Sequence, residues 1–196
     1  MLSHFKKIQK FVFDILFPKR CVSCGKYGQF LCFNCCAQIE WVKTAICPYC
    51  GKISKNGQIC ASCRRRHQSN LDGVIICCHY DVGPIKNLIS SLKYDRIIDV
   101  SEILGEVMSQ KANEFSWTKY VITYVPIHVK RQKTRGFNQS LLISKYVSEK
   151  MGLPLLHLLA RTKDTRSQVG LTASERRINI QNSIRYVGDV MKKKFD

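Results

Sequence analysis

The chain has 196 residues, with 32 lysines and arginines against 14 acidic residues, a formal net charge of +18 and 11 cysteines. That length holds one medium domain and a small module rather than several full domains. No stretch is long and apolar enough for a membrane span, and cysteines without an export signal argue against a secreted disulfide scaffold.

In chain order the first element is an amphipathic segment at 1–19. Phe5, Ile8, Val12, Ile15 and Leu16 fall on one helical face and Lys6, Lys7 and Lys10 on the other. Charges inside the segment and the lack of a small-residue cleavage site make a signal peptide a poor match. Packing against the protein body suits it better than lying on an anionic membrane surface.

Residues 20–64 hold four cysteine pairs at two-residue spacing: Cys21/Cys24, Cys32/Cys35, Cys47/Cys50 and Cys60/Cys63. Each pair can offer two thiolates from one tight knuckle, and two pairs complete a tetrahedral four-sulfur shell. Four pairs therefore specify two Zn2+ ions. Iron–sulfur clusters also take four cysteines, but two separate blocks of paired knuckles suit zinc better. A sequential pairing and an interleaved cross-brace both satisfy the spacing. Aliphatic residues are scarce here, so the metal stands in for a core and its binding energy becomes folding energy. Cys36, Cys77 and Cys78 lie outside the pattern. Cys77 and Cys78 sit in the apolar run from Val74 to Tyr80 and read as core thiols rather than ligands.

Charge is densest in this half of the chain: residues 1–70 carry 12 basic and 2 acidic residues. Two four-thiolate zinc sites would each add −2, leaving the loaded protein near +14 (18 minus 4). A polyanion, either nucleic acid or a phosphorylated small molecule, is one reading of this charge, and a solvated basic surface is the other. Arg64, Arg65 and Arg66 are the candidate nucleic-acid contacts. Residues 65–70 read as a basic linker.

The segment 71–196 reads as an α/β domain. Leu71 to Tyr80 is strand-like and broken by Gly83-Pro84. Ile85, Leu88, Ile89 and Leu92 recur at helical spacing, and Val100, Ile103, Leu104, Val107 and Met108 mark the buried stripe of a second helix. Tyr120 to Val125 is an unbroken apolar run, as in a parallel strand covered on both faces. A loop leads to Asn138, where a helix with Leu142, Ile143, Tyr146 and Val147 on its core face begins, and Gly152 closes it. Leu153 to Leu159 is a short apolar segment and Arg161 to Leu171 a polar loop. Thr172 to Ile180 reads as a turn or two of helix, and Ile184 to Val187 as a strand.

The loop after the buried run is the candidate anion site. Ligands bind beyond the carboxyl ends of strands in open α/β sheets, and this loop leads into a helix N-terminus. Lys130, Arg131, Lys133 and Arg135 could hold a phosphate or pyrophosphate, with Gly136 letting backbone approach it. His128 reads as structural rather than catalytic, and no catalytic residues are identified.

The cysteine knuckles, Val125-Pro126-Ile127-His128 through Arg131 and Arg135-Gly136-Phe137-Asn138-Gln139, and the set Asp164-Thr165, Gln168, Leu171, Glu175-Arg176-Arg177 and Asn179 together resemble the ComF family. These are bacterial competence proteins with a double zinc ribbon followed by a phosphoribosyltransferase-like domain. The resemblance runs in order over nearly the whole chain. It implies a type I phosphoribosyltransferase fold, a parallel sheet flanked by helices, with Val125–Phe137 as the pyrophosphate loop and Arg161–Leu171 as the flexible hood. Family members continue with an apolar strand, two adjacent aspartates and a Thr-Thr-Gly loop that binds phosphoribosyl pyrophosphate, with Mg2+ in an intact relative. This chain reaches Lys192-Lys193-Lys194-Phe195-Asp196 without them. The expected fold is therefore an incomplete sheet at 71–196, truncated before that loop.

Two functions follow from the resemblance. The first is a cytoplasmic competence factor that handles single-stranded transforming DNA, beside a competence helicase or other DNA-processing proteins. The alternative is a phosphoribosyltransferase, inactive in this chain for want of the cofactor loop. A third reading makes the ribbon a protein-docking module and the charge incidental.

Overall fold

A computed structural model describes residues 18–68, 70–81, 83–116 and 119–188. The amphipathic segment at Leu2–Phe17 and the final Lys192–Asp196 lie outside the described residues. The chain forms two compact units, divided between Asp95 and Arg96.

The first unit is built twice over on the same small device. Cys21 N–H donates to Lys26 O and Gly25 N–H to Cys21 O, each at 2.8 Å, and single antiparallel pairing of Arg20 with Tyr27 closes the turn. In the second half Cys47 N–H donates to Lys52 O at 2.8 Å and Gly51 N–H to Cys47 O at 2.9 Å, with Ile46 paired to Ile53. Each half then ends its cysteine set on a short helix, α1 (Phe33–Cys36) and α2 (Ala61–His67). The buried residues here are largely the cysteines themselves, with Leu31 packed on the first group and Ile59 within the second.

Two expectations change in this unit. The stretch read as a linker continues α2 as far as His67, because Cys60 starts the helix in extended backbone and arginines propagate it well. Gln68, at φ 45°, ends it. Residues 71–80 form no strand. Gly73 pairs only with Gln58 and Cys78 only with Trp41, and no ladder extends from either bridge. Cys77 and Cys78 are half-buried rather than core thiols, and Cys36 is exposed. Helix α3 (Pro84–Ser90) follows, with a wider turn at Ser91–Asp95, and its expected stripe is buried at Ile85, Leu88 and Leu92.

In the second unit α4 (Val100–Ala112) and α6 (Gln139–Met151) pack together, and Val100, Leu104, Val107 and Val147 are buried. Met108, expected in the stripe, is exposed. Their approach depends on Gly105: a Cβ there would lie 2.6 Å from Tyr146 Cδ1. Tyr146 Oη donates to Glu106 at 2.7 Å and Lys150 Nζ to the same oxygen at 3.0 Å. Between these helices comes α5 (Val129–Arg135), a helix within the span read as loop. Asn138 starts α6 by accepting from the N–H groups of Ser140 and Leu141, and Gly152 ends it, both as expected.

Strands β1 (Leu159–Arg161) and β2 (Ile184–Tyr186) pair antiparallel, with Ala160 opposite Arg185. Between them α7 (Ala173–Ile180) opens on a capping box of Thr172 and Glu175. Thus the described chain is a mixed helical structure with a zinc-ribbon-like first half and a small two-stranded sheet. The expected parallel sheet is reduced to one parallel bridge, Ile122 with Leu155. Tyr120 and Val125 are 55% and 57% exposed, so the run between them is not covered on both faces and extends no ladder.

The Glu106 contact sets a pH dependence. Hydrogen bonds from Tyr146 first and Lys150 second hold its carboxyl below the usual carboxylate value. A carboxylate lowered by folding contributes stability above its unfolded pKa, and that contribution fades as pH falls through the folded one. Glu106→Gln is expected to lower Tm at pH 7, with the gap to wild type closing below about pH 4.3. Melting curves across pH 3–7 check it; a gap constant with pH would show that the charge is irrelevant.

Candidate functional site

The sulfurs of Cys21, Cys24, Cys32 and Cys35 lie within 4.8 Å of one another, as do those of Cys47, Cys50, Cys60 and Cys63. The grouping is sequential, not interleaved. Four sulfurs about 2.3 Å from one zinc stand about 3.8 Å apart. Cys24 and Cys32 Sγ are 3.5 Å apart, and Cys50 and Cys60 Sγ 3.8 Å. In each group one cysteine is exposed at the rim (Cys24, Cys50) while the others are buried or half-buried.

The electrostatics suit a dication. Burial works against ionising Cys21, but N–H groups of Cys32, Cys24 and Ser23 outweigh it and hold the thiol at about 6. Cys60 also sits at about 6, through the Ser62 hydroxyl and then the Cys63 N–H. Burial pushes Cys35 and Cys63 up to about 12. Each group thus mixes thiols ready to ionise with thiols that need a nearby positive charge to do so. The two groups fit two zinc ions, each closed by four protein sulfurs with no position left for substrate, as in structural sites.

Arg64, Arg65 and Arg66 form the last turn of α2, exposed and directly after Cys63. Arg64 is engaged within the unit, donating to the Asp72 carboxylate at 3.0 Å and to Asp72 O at 3.3 Å. Beside them His67 stacks on Tyr49, with ring centres 4.2 Å apart and planes 6° from parallel. That stack joins the third knuckle to the end of α2 and had no local signal in the sequence.

The four cations of the anion-site reading do not converge. Lys130 Nζ lies 3.5 Å from Asp164 Oδ2, and Arg131 donates to Thr165 O at 2.5 Å. Arg135 turns to Gln139 Oε1 at 2.6 Å, and Lys133 is exposed on the same short helix. Gly136, at φ 89°, has a conformational role as the residue that ends α5. The N–H groups of Ser140 and Leu141, expected to favour an anion, are already capped by the Asn138 side chain. Asn138 also donates to Val125 O at 3.1 Å, tying the apolar run to α6.

Arg161 joins Lys130 and Arg131 in one cationic cluster. Its guanidinium donates to Thr165 Oγ1 at 2.6 Å, so two arginines meet at one threonine. Burial, then the neighbouring charge of Arg131, lower the Arg161 pKa. Thirty positions separate the two arginines, so neither periodicity nor spacing pairs them.

Residues 12–64 match the family model of a double zinc ribbon domain. Competence protein F of Haemophilus influenzae is 27% identical over 178 residues, spanning 80% of this chain and 76% of that protein. Competence protein ComFC of Bacillus subtilis is 22% identical over 138 residues, spanning 68% of this chain and 58% of that protein. No solved structure matches. No helix among the described residues is long and apolar enough to cross a membrane.

Proposed function

The chain belongs to the ComF family, and on that premise we propose that it is a competence factor that binds single-stranded transforming DNA during uptake. The observation that carries this reading is the exposed edge of the second ribbon, where Arg64–Arg66 adjoin the Tyr49–His67 stack. Backbone phosphates supply most of the affinity for nucleic acid, and bases stack on flat rings whatever their identity. Zinc holds Cys60 and Cys63, which open α2, so metal and DNA surface are one construction in this proposal. A reduced compartment, the cytoplasm, keeps the thiols available for zinc, and a competence helicase or another DNA-processing protein is the proposed neighbour.

Binding of a fluorescent single-stranded oligonucleotide tests it. Affinity is expected to fall steeply between 50 and 200 mM salt. For single strands log K falls against log salt by about 0.7 per phosphate neutralised. Arg65→Glu with Arg66→Glu should therefore weaken binding more than tenfold and reduce that slope by about 1.4. Salt-insensitive binding, or a double variant that binds like wild type, would sink the proposal and favour a protein-docking ribbon. Arg64 is left in place because it braces Asp72.

A second reading is favoured by the paired Arg131 and Arg161: the second unit binds phosphate-bearing ligands, as in a phosphoribosyltransferase-like protein. Lys130, Arg131 and Arg161 are its proposed anion contacts, while Lys133, Arg135 and Gly136 contribute charge and helix geometry around them. Mg2+ and phosphoribosyl pyrophosphate belong to this reading.

A further inference from the structure

The cationic cluster of the second unit already has an acidic occupant. From Lys119 to Arg177 the chain holds twelve lysines and arginines and three acids, Glu149, Asp164 and Glu175. Glu149 lies on α6, and Glu175 is spent on its capping box with Thr172. Of these three acids, Asp164 is the one that reaches the cluster: Oδ1 is 3.6 Å from His128 Nδ1 and Oδ2 is 3.5 Å from Lys130 Nζ. Next in sequence, Thr165 receives both arginines, Arg131 on its carbonyl and Arg161 on its hydroxyl. Two consecutive residues of one loop thus engage every group that an anion would use.

We propose that Asp164-Thr165 is an internal plug: the loop holds the cationic cluster shut, and a polyphosphate anion must displace it to bind. This rests on the reading that the cluster takes phosphate. The charge balance makes the plug displaceable. One carboxylate faces Lys130 alone of the three permanent cations, and Arg131 and Arg161 have no acidic partner among the described residues, whereas a diphosphate brings several negative charges and oxygens matched to the guanidinium fork. The arginines lean on neutral oxygens of Thr165 in the plugged state, a weaker partnership than two charged ones.

The loop is also built to move over a short span. Thr162 N–H is fixed to Ser183 O at 2.9 Å, and Asn179 grips Arg166 by both its N–H and its carbonyl, at 3.2 and 3.0 Å. Only Lys163, Asp164 and Thr165 lie between these anchors. Displacing the plug therefore shifts three residues without disturbing β1 or α7.

Calorimetric titration of the zinc-loaded full chain with inorganic pyrophosphate tests this, comparing wild type, Asp164→Asn and Arg131→Ala. Asp164→Asn keeps the side-chain shape and is expected to bind about two to five times tighter, the scale of one partly exposed ion pair. Arg131→Ala is expected to lose binding at least tenfold. In the wild type, saturating pyrophosphate should speed trypsin cleavage after Lys163. If wild type and Asp164→Asn bind equally, the plug is overturned and the anion site stands. Weaker binding by Asp164→Asn makes Asp164 part of the site and also overturns the plug, as does protection of Lys163. If none of the three binds, the anion-site reading itself fails. An unchanged Tm of Asp164→Asn shows that the comparison is between folded proteins.

Discussion

Zinc removal is expected to unfold the ribbon half of the first unit while the α4–α6 pair keeps its amide protection. Chelation under reducing conditions should release two zinc ions per chain. Cys47→Ser, at a position with no exposure, should leave one. The reason is that the buried residues of 20–64 are mostly the ligands themselves: Cys21, Cys32, Cys35, Cys47 and Cys63, with Ile39 and Ile59 as the aliphatic exceptions. A core that small cannot offset the entropy of ordering some forty residues at about 1–2 kcal/mol each for the backbone alone. Structural zinc contributes about 10–16 kcal/mol per site at pH 7, which makes loading and folding one event. Loading should also release protons to the buffer, since Cys35 and Cys63 ionise only against the metal. Zinc content, measured beside hydrogen exchange, decides the matter. A Cys47→Ser chain that still holds two ions would remove this cluster from the account, and a ribbon that keeps its exchange protection without zinc would remove the metal as its core.

The two clusters were legible because the constraint is local. A two-residue spacing fixes where both thiolates of a knuckle point, whatever surrounds it. Sequential grouping was not legible, since spacing permits either pairing, and it emerges from Cys24–Cys32 and Cys50–Cys60 lying side by side. Helix stripes were legible for the same local reason, with Val100, Leu104 and Val107 spaced at one turn. The apolar run at Tyr120–Val125 misled because a hydrophobic strand reports a preference for cover without saying what supplies it, and the one bridge to Leu155 is the only strand-like pairing it makes among the described residues. The linker reading failed at Arg65–His67 because charge was weighed and helix propensity was not. Arg161 and the Asp164 contacts needed the fold itself, as they bring together residues thirty or more positions apart: Arg131 with Arg161, and Asp164 with His128 and Lys130. Tertiary geometry thus added Arg161 and the occupant of the cationic cluster, while sequence reached the other two cations, Lys130 and Arg131.

The attachment of residues 72–74 to the second ribbon rests on a glycine, and Gly57→Ala is expected to break it. Gly57 has φ +69°, and a Cβ there would lie 2.2 Å from Val74 O and 3.1 Å from Val74 C. The obstacle is backbone, so no side chain can rotate away. Across the same crossing a Cβ on Gly73 would stand 2.7 Å from Gly57 O. Relief requires the two segments to part, which gives up Val74 N–H to Gly57 O at 3.0 Å and Ile59 N–H to Asp72 O at 2.9 Å. It also strains the Arg64–Asp72 pair. Two lost hydrogen bonds at about 1 kcal/mol each and about 1–2 kcal/mol of left-handed strain come to roughly 3–4 kcal/mol. Gly51→Ala separates these contributions: its φ is +70°, yet nothing lies within 4 Å of the added Cβ. That variant should lose only the strain, about 1–2 kcal/mol. Urea unfolding of both variants, with zinc content measured alongside, checks the argument. Both should keep two zinc ions, because neither glycine is a ligand. Equal losses would mean that φ alone governs both sites and that the crossing of 57–59 over 72–74 contributes nothing. A larger loss at Gly57 with zinc retained identifies that backbone crossing, rather than the metal, as what fixes the chain leaving α2 to the ribbon that carries Arg64–Arg66.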